Sequence, residues 1–122
     1  MTATLERAEI GTPTEERCCP AVTTGTSVSR SQAETYASWF KALSDPTRIQ
    51  ILNLLASAGE PVCVCEITEQ FPFSQATISH HLKVLRDTCF IFSERRGTFM
   101  YYWVNRACVS AFPEAARQIL NG

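Results

Sequence analysis

Between residues 45 and 74 the chain is cut at short intervals, by Asp45-Pro46, then by Gly59-Glu60-Pro61, then by Pro72. Proline suits the first position of a helix but breaks its interior. The stretch therefore holds only short helices. Asp45 caps the first of them with Pro46 at its opening position, and Ile49, Leu52 and Leu55 recur on one side of Thr47 to Ser57. After the second break, Val64, Ile67 and Phe71 mark a shorter helix whose first turn holds Cys63-Val64-Cys65. Beyond Pro72, Ser74 caps a further helix reaching about Asp87, with Ile78, Leu82 and Leu85 as its apolar stripe. Gln75, Ser79, Lys83 and Arg86 lie on the opposite side.

Upstream, Ser29 with Gln32 three residues on forms a capping box, and Ala33, Tyr36, Phe40 and Leu43 follow at helical spacing, predicting a helix that ends near Leu43. Residues 1–28 are rich in Thr, Ser, Glu, Pro and Gly without periodicity and read as an extended arm, carrying Cys18-Cys19. Downstream, Phe90 to Ser93 and Thr98 to Val104 are β-prone and aromatic. Glu94-Arg95-Arg96-Gly97 joins them, predicting a hairpin with two arginines at its tip. Past Asn105 the chain is helical again through Cys108, Phe112, Ala116 and Ile119, with a kink or restart expected at Pro113. This order predicts a mainly α fold with a β-hairpin wing, the winged helix-turn-helix, in residues 29–122 behind the arm of residues 1–28.

The 122 residues, 45% of them hydrophobic, make one compact domain and not two. Eleven Lys and Arg against twelve Asp and Glu leave a formal charge of -1. No global field announces nucleic acid, so any charged site is local. No apolar run approaches the roughly 18 residues that cross a bilayer. The opening residues lack the apolar core of a secretory signal, so a cytoplasmic, non-membrane protein is expected.

Within residues 74–98 the charges are Lys83, Arg86, Arg95 and Arg96 against Asp87 and Glu94. The positive excess falls where a reading helix and its wing would meet DNA. A recognition helix buries one stripe and offers the other to the major groove as side chains that hydrogen-bond base edges. Ser74, Gln75, Thr77, Ser79, His80, Lys83 and Arg86 meet that description. Arg95 and Arg96 would reach a neighbouring backbone or minor groove. An ordinary exposed helix face is filled with Glu and Lys; Gln, Ser, Thr and His are poorer helix formers and better partners for bases. His80 and His81 project about 100° apart and do not readily share one metal ion.

Six cysteines is a high count for this length. Cys18-Cys19 and Cys63-Val64-Cys65 are too close in sequence for unstrained internal disulfides, and without a signal peptide they read as reduced thiols suited to soft metals. The spacing is not that of a structural zinc knuckle. Cys89 and Cys108, each alone, read as small buried hydrophobes.

Phe40-Lys41-Ala42-Leu43-Ser44-Asp45-Pro46-Thr47-Arg48, then Cys63-Val64-Cys65-Glu66-Ile67, then Ser74 to Leu82, Glu94 to Gly97 and the Tyr101-Tyr102 strand together resemble the ArsR/SmtB family of metalloregulatory repressors. The resemblance covers residues 33–105 and is closest to arsenite-responsive members. It implies a homodimer that represses a resistance operon on double-stranded operator DNA and leaves it when a metal or metalloid binds. It places Cys63 and Cys65 at the thiolate pair that arsenite, antimonite, cadmium and lead sensors use. In some arsenic sensors a third cysteine follows three residues after the second; here Thr68 stands there. Three thiolates suit As(III) or Sb(III), and Cys18 or Cys19, from the same or the partner subunit, is the expected source of the missing one. At the frayed start of a helix both sulfurs of Cys63 and Cys65 can converge, and the helix N-terminus is expected to favour thiolate. The same cysteines would also serve Cd(II), Pb(II) or Hg(II). Zinc, nickel and cobalt sites of the family need His and carboxylates on the last helix, and residues 105–122 hold only Glu114. In the family a small residue, often Gly, stands at the position of Cys89; Cys108 fits the final helix or a dimer interface.

Two other classes remain open on the residues. Cys89 to Arg95 has the C-x-x-x-x-x-R spacing of a phosphatase or arsenate reductase loop, but its interior is apolar and β-prone rather than glycine-rich. A DNA-binding protein whose thiols sense oxidants is the other. The expectation is a regulator and not an enzyme.

Overall fold

The computed structural model describes residues 27–121. The arm's Cys18 and Cys19 lie outside them. Helix α1 (Arg30–Ala42) opens on the expected box: Ser29 accepts from the Gln32 amide, and the Gln32 side chain accepts from the Ser29 amide. Helix α2 (Pro46–Ala58) is capped by Asp45, whose carboxylate accepts from the Thr47 and Arg48 amides at 2.8 and 3.3 Å. Gly59 ends it with a left-handed φ of 72° that costs glycine nothing. Partial burial pushes the Asp45 carboxyl up, but those two amides with His81 and Arg48 outweigh it and hold it below the ordinary carboxylate range. A depressed acid contributes stability that is present above its unfolded pKa and lost as pH falls through the folded one. Asp45→Asn is therefore expected to flatten the decline of the melting temperature below about pH 4, measured by circular dichroism.

Strand β1 (Val62–Cys63) leads into helix α3 (Val64–Glu69), and helix α4 (Gln75–Asp87) follows a tight turn. Strands β2 (Ile91–Arg96) and β3 (Phe99–Val104) pair antiparallel, from Ile91 with Val104 to Arg96 with Phe99. Strand β1 adds to the far side of β3, with Val62 opposite Tyr102 and Cys63 opposite Tyr101, giving the order β1-β3-β2. This third strand has no counterpart in the sequence reading. The hairpin is also longer than expected: β2 runs through Glu94, Arg95 and Arg96, and the turn is Gly97-Thr98, with Gly97 at φ 65°. Helix α5 (Arg106–Asn121) passes through Pro113 without the expected restart.

The core is centred on Trp39, whose ring lies 5.4 Å from Tyr36, 6.2 Å from Phe90 and 6.3 Å from Phe112. It clamps α1 to the segment after α4 and to α5. The buried side of α1 is thus Tyr36, Trp39 and Ala42, while Ala33 and Phe40 sit on an exposed flank. Likewise α2 buries Ile51 and Leu55 and leaves Ile49 exposed. The Tyr36 hydroxyl donates to Gln118 Oε1 at 2.7 Å, a buried tie between α1 and α5.

The end of α4 is a complete Schellman motif. The Cys89 amide donates to the Arg86 carbonyl at 2.9 Å and the Phe90 amide to that of Leu85 at 3.0 Å, with Cys89 at φ 70°. Cys89 is the one non-glycine residue with positive φ among the described residues. A side chain there costs roughly 1–2 kcal/mol relative to right-handed backbone.

Candidate DNA-reading face and thiol site

The amphipathic division of α4 is as the sequence predicts. Ile78, Leu82 and Leu85 are fully buried, and Gln75, Thr77, His80, Lys83 and Arg86 are exposed, with Ser79 half-buried. Ser74 and Thr77 at its start are also engaged in capping: Ser74 Oγ accepts from the Thr77 amide at 3.2 Å and donates to Thr77 Oγ1 at 3.1 Å. His80 and His81 divide. His80 faces solvent, while His81 turns inward so that its Nδ1 accepts from Arg48 Nη1 at 3.3 Å. Arg48 also donates from Nε to the Ala42 carbonyl at 2.6 Å. One guanidinium therefore fastens the reading helix to α2 and to the end of α1. In the sequence Arg48 stands only as the last residue of a motif; an arginine beside a helix cap carries no local sign of a tertiary partner.

Lys83 pairs with Asp87 at 2.7 Å, Arg86 lies 3.8 Å from the same carboxylate, and Arg96 pairs with Glu94 at 3.3 Å. These are solvent-facing pairs of small net energy, so a phosphate can displace the carboxylate. Arg96 also lies over the Tyr101 ring at 4.9 Å. Successive strand residues point to opposite faces. Arg95 and Arg96 therefore do not reach out together from a tip: Arg96 is held flat, and Arg95 projects from the other side of β2.

Cys63 and Cys65 are brought together. Their sulfurs lie 2.7 Å apart at the start of α3, well inside the roughly 4.6 Å that two thiolates can span when each bonds one ion at about 2.3 Å. The local cause is an unusual capping box in which Cys63 is the cap: Cys63 Sγ accepts from the Cys65 amide at 3.4 Å, and Glu66 Oε1 accepts from the Cys63 amide at 3.2 Å. The C-x-x-E spacing carried that signal, with Cys in the place of Ser. Cys63 is buried and Cys65 half-buried.

The expectation of a favoured thiolate is not met at Cys65. Its pKa is raised, chiefly because its thiol shares a hydrogen bond with Cys63, with burial and the charge near it adding to the effect against the Glu66 amide. A soft ion must expel that proton, so inducer affinity is expected to fall as pH is lowered from about 8 to 6, with at least about one proton released per site by calorimetry in buffers of different ionisation enthalpy. Among the described residues no group of three His, Cys, Asp or Glu side chains surrounds a point that could hold an ion. The pair thus supplies two donors.

Cys89 and Cys108 are buried as expected but are not simple thiols: both are disulfide-bonded, whereas Cys63 and Cys65 are free. Neither of the two carried a local signal of this in the sequence.

Residues 45–88, from the α2 cap to the end of the reading helix, match the family described as bacterial regulatory protein, arsR family. The chain is 42% identical over 71 residues to a helix-turn-helix transcriptional regulator of Methanocaldococcus jannaschii, across 58% of this chain and 79% of that protein. The chain belongs to the ArsR family. This ArsR-family chain is also 43% identical over 70 residues to the arsenical resistance operon repressor of Bacillus subtilis, across 57% of this chain and 66% of that protein. It is 38% identical over 77 residues to a cadmium resistance transcriptional regulatory protein of Staphylococcus aureus, across 63% of this chain and 63% of that protein. Among solved structures, an ArsR-like transcriptional regulator from Rhodococcus superposes with a TM-score of 0.63 at 26% identity, over 73% of this chain and 82% of that one. The winged helix-turn-helix architecture is thereby established. ArsR-family proteins are regulators and not enzymes, and the spacing from Cys89 to Arg95 is no phosphate loop, since Ile91 to Arg95 lie in strand β2. No helix among the described residues is long and apolar enough to cross a membrane.

Proposed function

We propose that this chain is a cytoplasmic repressor that binds operator DNA as a homodimer and dissociates when As(III) or Sb(III) is bound by cysteine thiolates. The observation that carries the reading is the convergence of Cys63 and Cys65 on the short helix directly before α4. Cys18, Cys19 or both complete the three-sulfur site from the arm. Gln75, Thr77, Ser79 and His80 read base edges, with Ser74, Lys83, Arg86, Arg95 and Arg96 on phosphates or at the neighbouring groove. The likeness to an arsenical repressor supports the metalloid. The likeness to a cadmium regulator supports the second reading, in which the same cysteines hold Cd(II), Pb(II) or Hg(II).

The dimer face is the flank of α1 and α5. Ala33, Ala37, Phe40 and Ile119 line an apolar groove of about 560 Å³, and Leu120, next after Ile119 in the chain, is 81% exposed. Apolar surface of this kind on a small domain marks an association site, and a second copy matches it by two-fold symmetry. Inducer binding acts only through different affinities for DNA-competent and DNA-released shapes of that dimer. A coupling of about 1–3 kcal/mol weakens DNA binding about 5- to 150-fold.

The test is fluorescence anisotropy of the reduced protein on DNA from its own promoter, titrated in parallel with arsenite and with cadmium. Release by arsenite at the lower concentration is expected. Release by cadmium alone moves the assignment to the second reading, and specific binding indifferent to both overturns the thiol site.

A further inference from the structure

The second pair of cysteines lies at the other end of the reading helix. Cys89 occupies the Schellman position after α4, where φ is 70° and glycine is the residue that fits. Its carbonyl accepts from Asn105 Nδ2 at 3.0 Å, and the Cys108 amide donates to Asn105 Oδ1 at 3.4 Å. Asn105, fully buried, is itself fixed by its amide donating to the Phe90 carbonyl at 2.9 Å. One side-chain amide thus pins the backbones of both cysteines. Cys108 is fully buried in the first turn of α5, and Cys89 is 8% exposed. Both sulfurs are disulfide-bonded, and the Cys63 and Cys65 thiols are not.

We propose that Cys89 and Cys108 are sites of reversible oxidation, forming a thiol-disulfide switch separate from the Cys63 and Cys65 inducer pair. A cysteine held where glycine would be easier has a sulfur in a fixed place. Here that place is the junction between the reading helix and the helix bearing the apolar dimer flank. Disulfide formation at the junction restricts how α4 can adjust to successive major grooves, and reduction frees it. The oxidant is a peroxide. One thiolate sulfur attacks a peroxide oxygen, the O–O bond breaks, and water leaves with a sulfenic acid formed on that cysteine. A second thiol then displaces the hydroxyl as a second water and the S–S bond forms. Two thiols lose two electrons and two protons, and the peroxide is reduced to two waters. A dithiol reductant reverses the step by exchange.

The DNA readout rests on the repressor reading above; the chemical readout does not. The full chain is reduced with dithiothreitol, freed of it, titrated with hydrogen peroxide, and then unfolded in guanidinium chloride containing N-ethylmaleimide, so that the buried thiols are trapped as well as the exposed ones. Peptide mass spectrometry then follows each cysteine, and anisotropy on promoter DNA follows binding. Cys89 and Cys108 are expected to lose labelling at lower peroxide than Cys63 and Cys65, with operator affinity falling about 5-fold or more and recovering on reduction. Cys89→Gly, which suits the backbone at this position, is expected to bind DNA with the affinity of the fully reduced parent at every peroxide dose while still releasing it with arsenite. The proposal is overturned by prior oxidation of Cys63 and Cys65, or by equal peroxide responses in the parent and Cys89→Gly. Failure of the reduced parent to bind promoter DNA counts against the repressor reading instead, and the labelling order still decides the switch.

Discussion

Cys63→Ser and Cys65→Ser are each expected to bind operator DNA within about two-fold of the parent and to keep it at arsenite concentrations that release the parent, losing the whole 5- to 150-fold coupling. Serine preserves the capping geometry at position 63, because its hydroxyl accepts the same helical amide that the sulfur does now. It does not bind a thiophilic ion. Anisotropy and a melting curve on the same samples separate the outcomes: loss of DNA binding together with a lowered melting temperature in both variants would show these residues to be packing groups. The vicinal double variant Cys18→Ser/Cys19→Ser is the companion measurement, and unchanged inducer affinity there removes the arm from the site.

Trp39→Ala is expected to have the largest effect on stability. The side chain is 1% exposed and meets three aromatic rings from three parts of the fold. Truncation of a buried tryptophan costs about 3–5 kcal/mol. For a domain of this size that lowers the melting temperature by roughly 12 °C or more, read by calorimetry. Because Phe90 sits immediately beyond the reading helix and Phe112 on α5, residual folded protein is also expected to bind DNA less tightly. Phe40→Ala, on the exposed flank of the same helix, is the control: it leaves the monomer core in place and acts on association.

What could be read from the residues follows how local the interaction is. Ser29, Asp45 and Ser74 cap helices within three residues of themselves, so their roles were visible in sequence. The buried stripe of α4 was equally plain, because its outer positions are polar and the contrast is sharp. On α1 the contrast is weak: Ala33, Tyr36, Trp39 and Phe40 are all apolar or aromatic, and the spacing alone selected Phe40 over Trp39 for the core. Strand β1 was invisible because two residues have no periodicity and its partner is almost forty positions away at Tyr101 and Tyr102. Pro113 does not restart the last helix, for a different reason. It lies on an exposed turn of a helix otherwise tied down by Cys108, Ala115 and Gln118, and tertiary burial outweighs one lost backbone bond. Of the candidate site, the reading face and the thiol pair were legible, whereas the Arg48 clasp on His81 and the oxidised state of Cys89 and Cys108 depend on contacts that only folding creates.

The hairpin of β2 and β3 is a complete wing without β1. Val62 and Cys63 are an appendix to it, joined by a two-residue register and continuous with the short helix that carries Cys65. Donor atoms at positions 63 and 65 can therefore be exchanged without redrawing the hairpin or the face of α4. In such an arrangement the vocabulary of signals and the vocabulary of operators are written in separate residues, and a lineage can revise one while keeping the other.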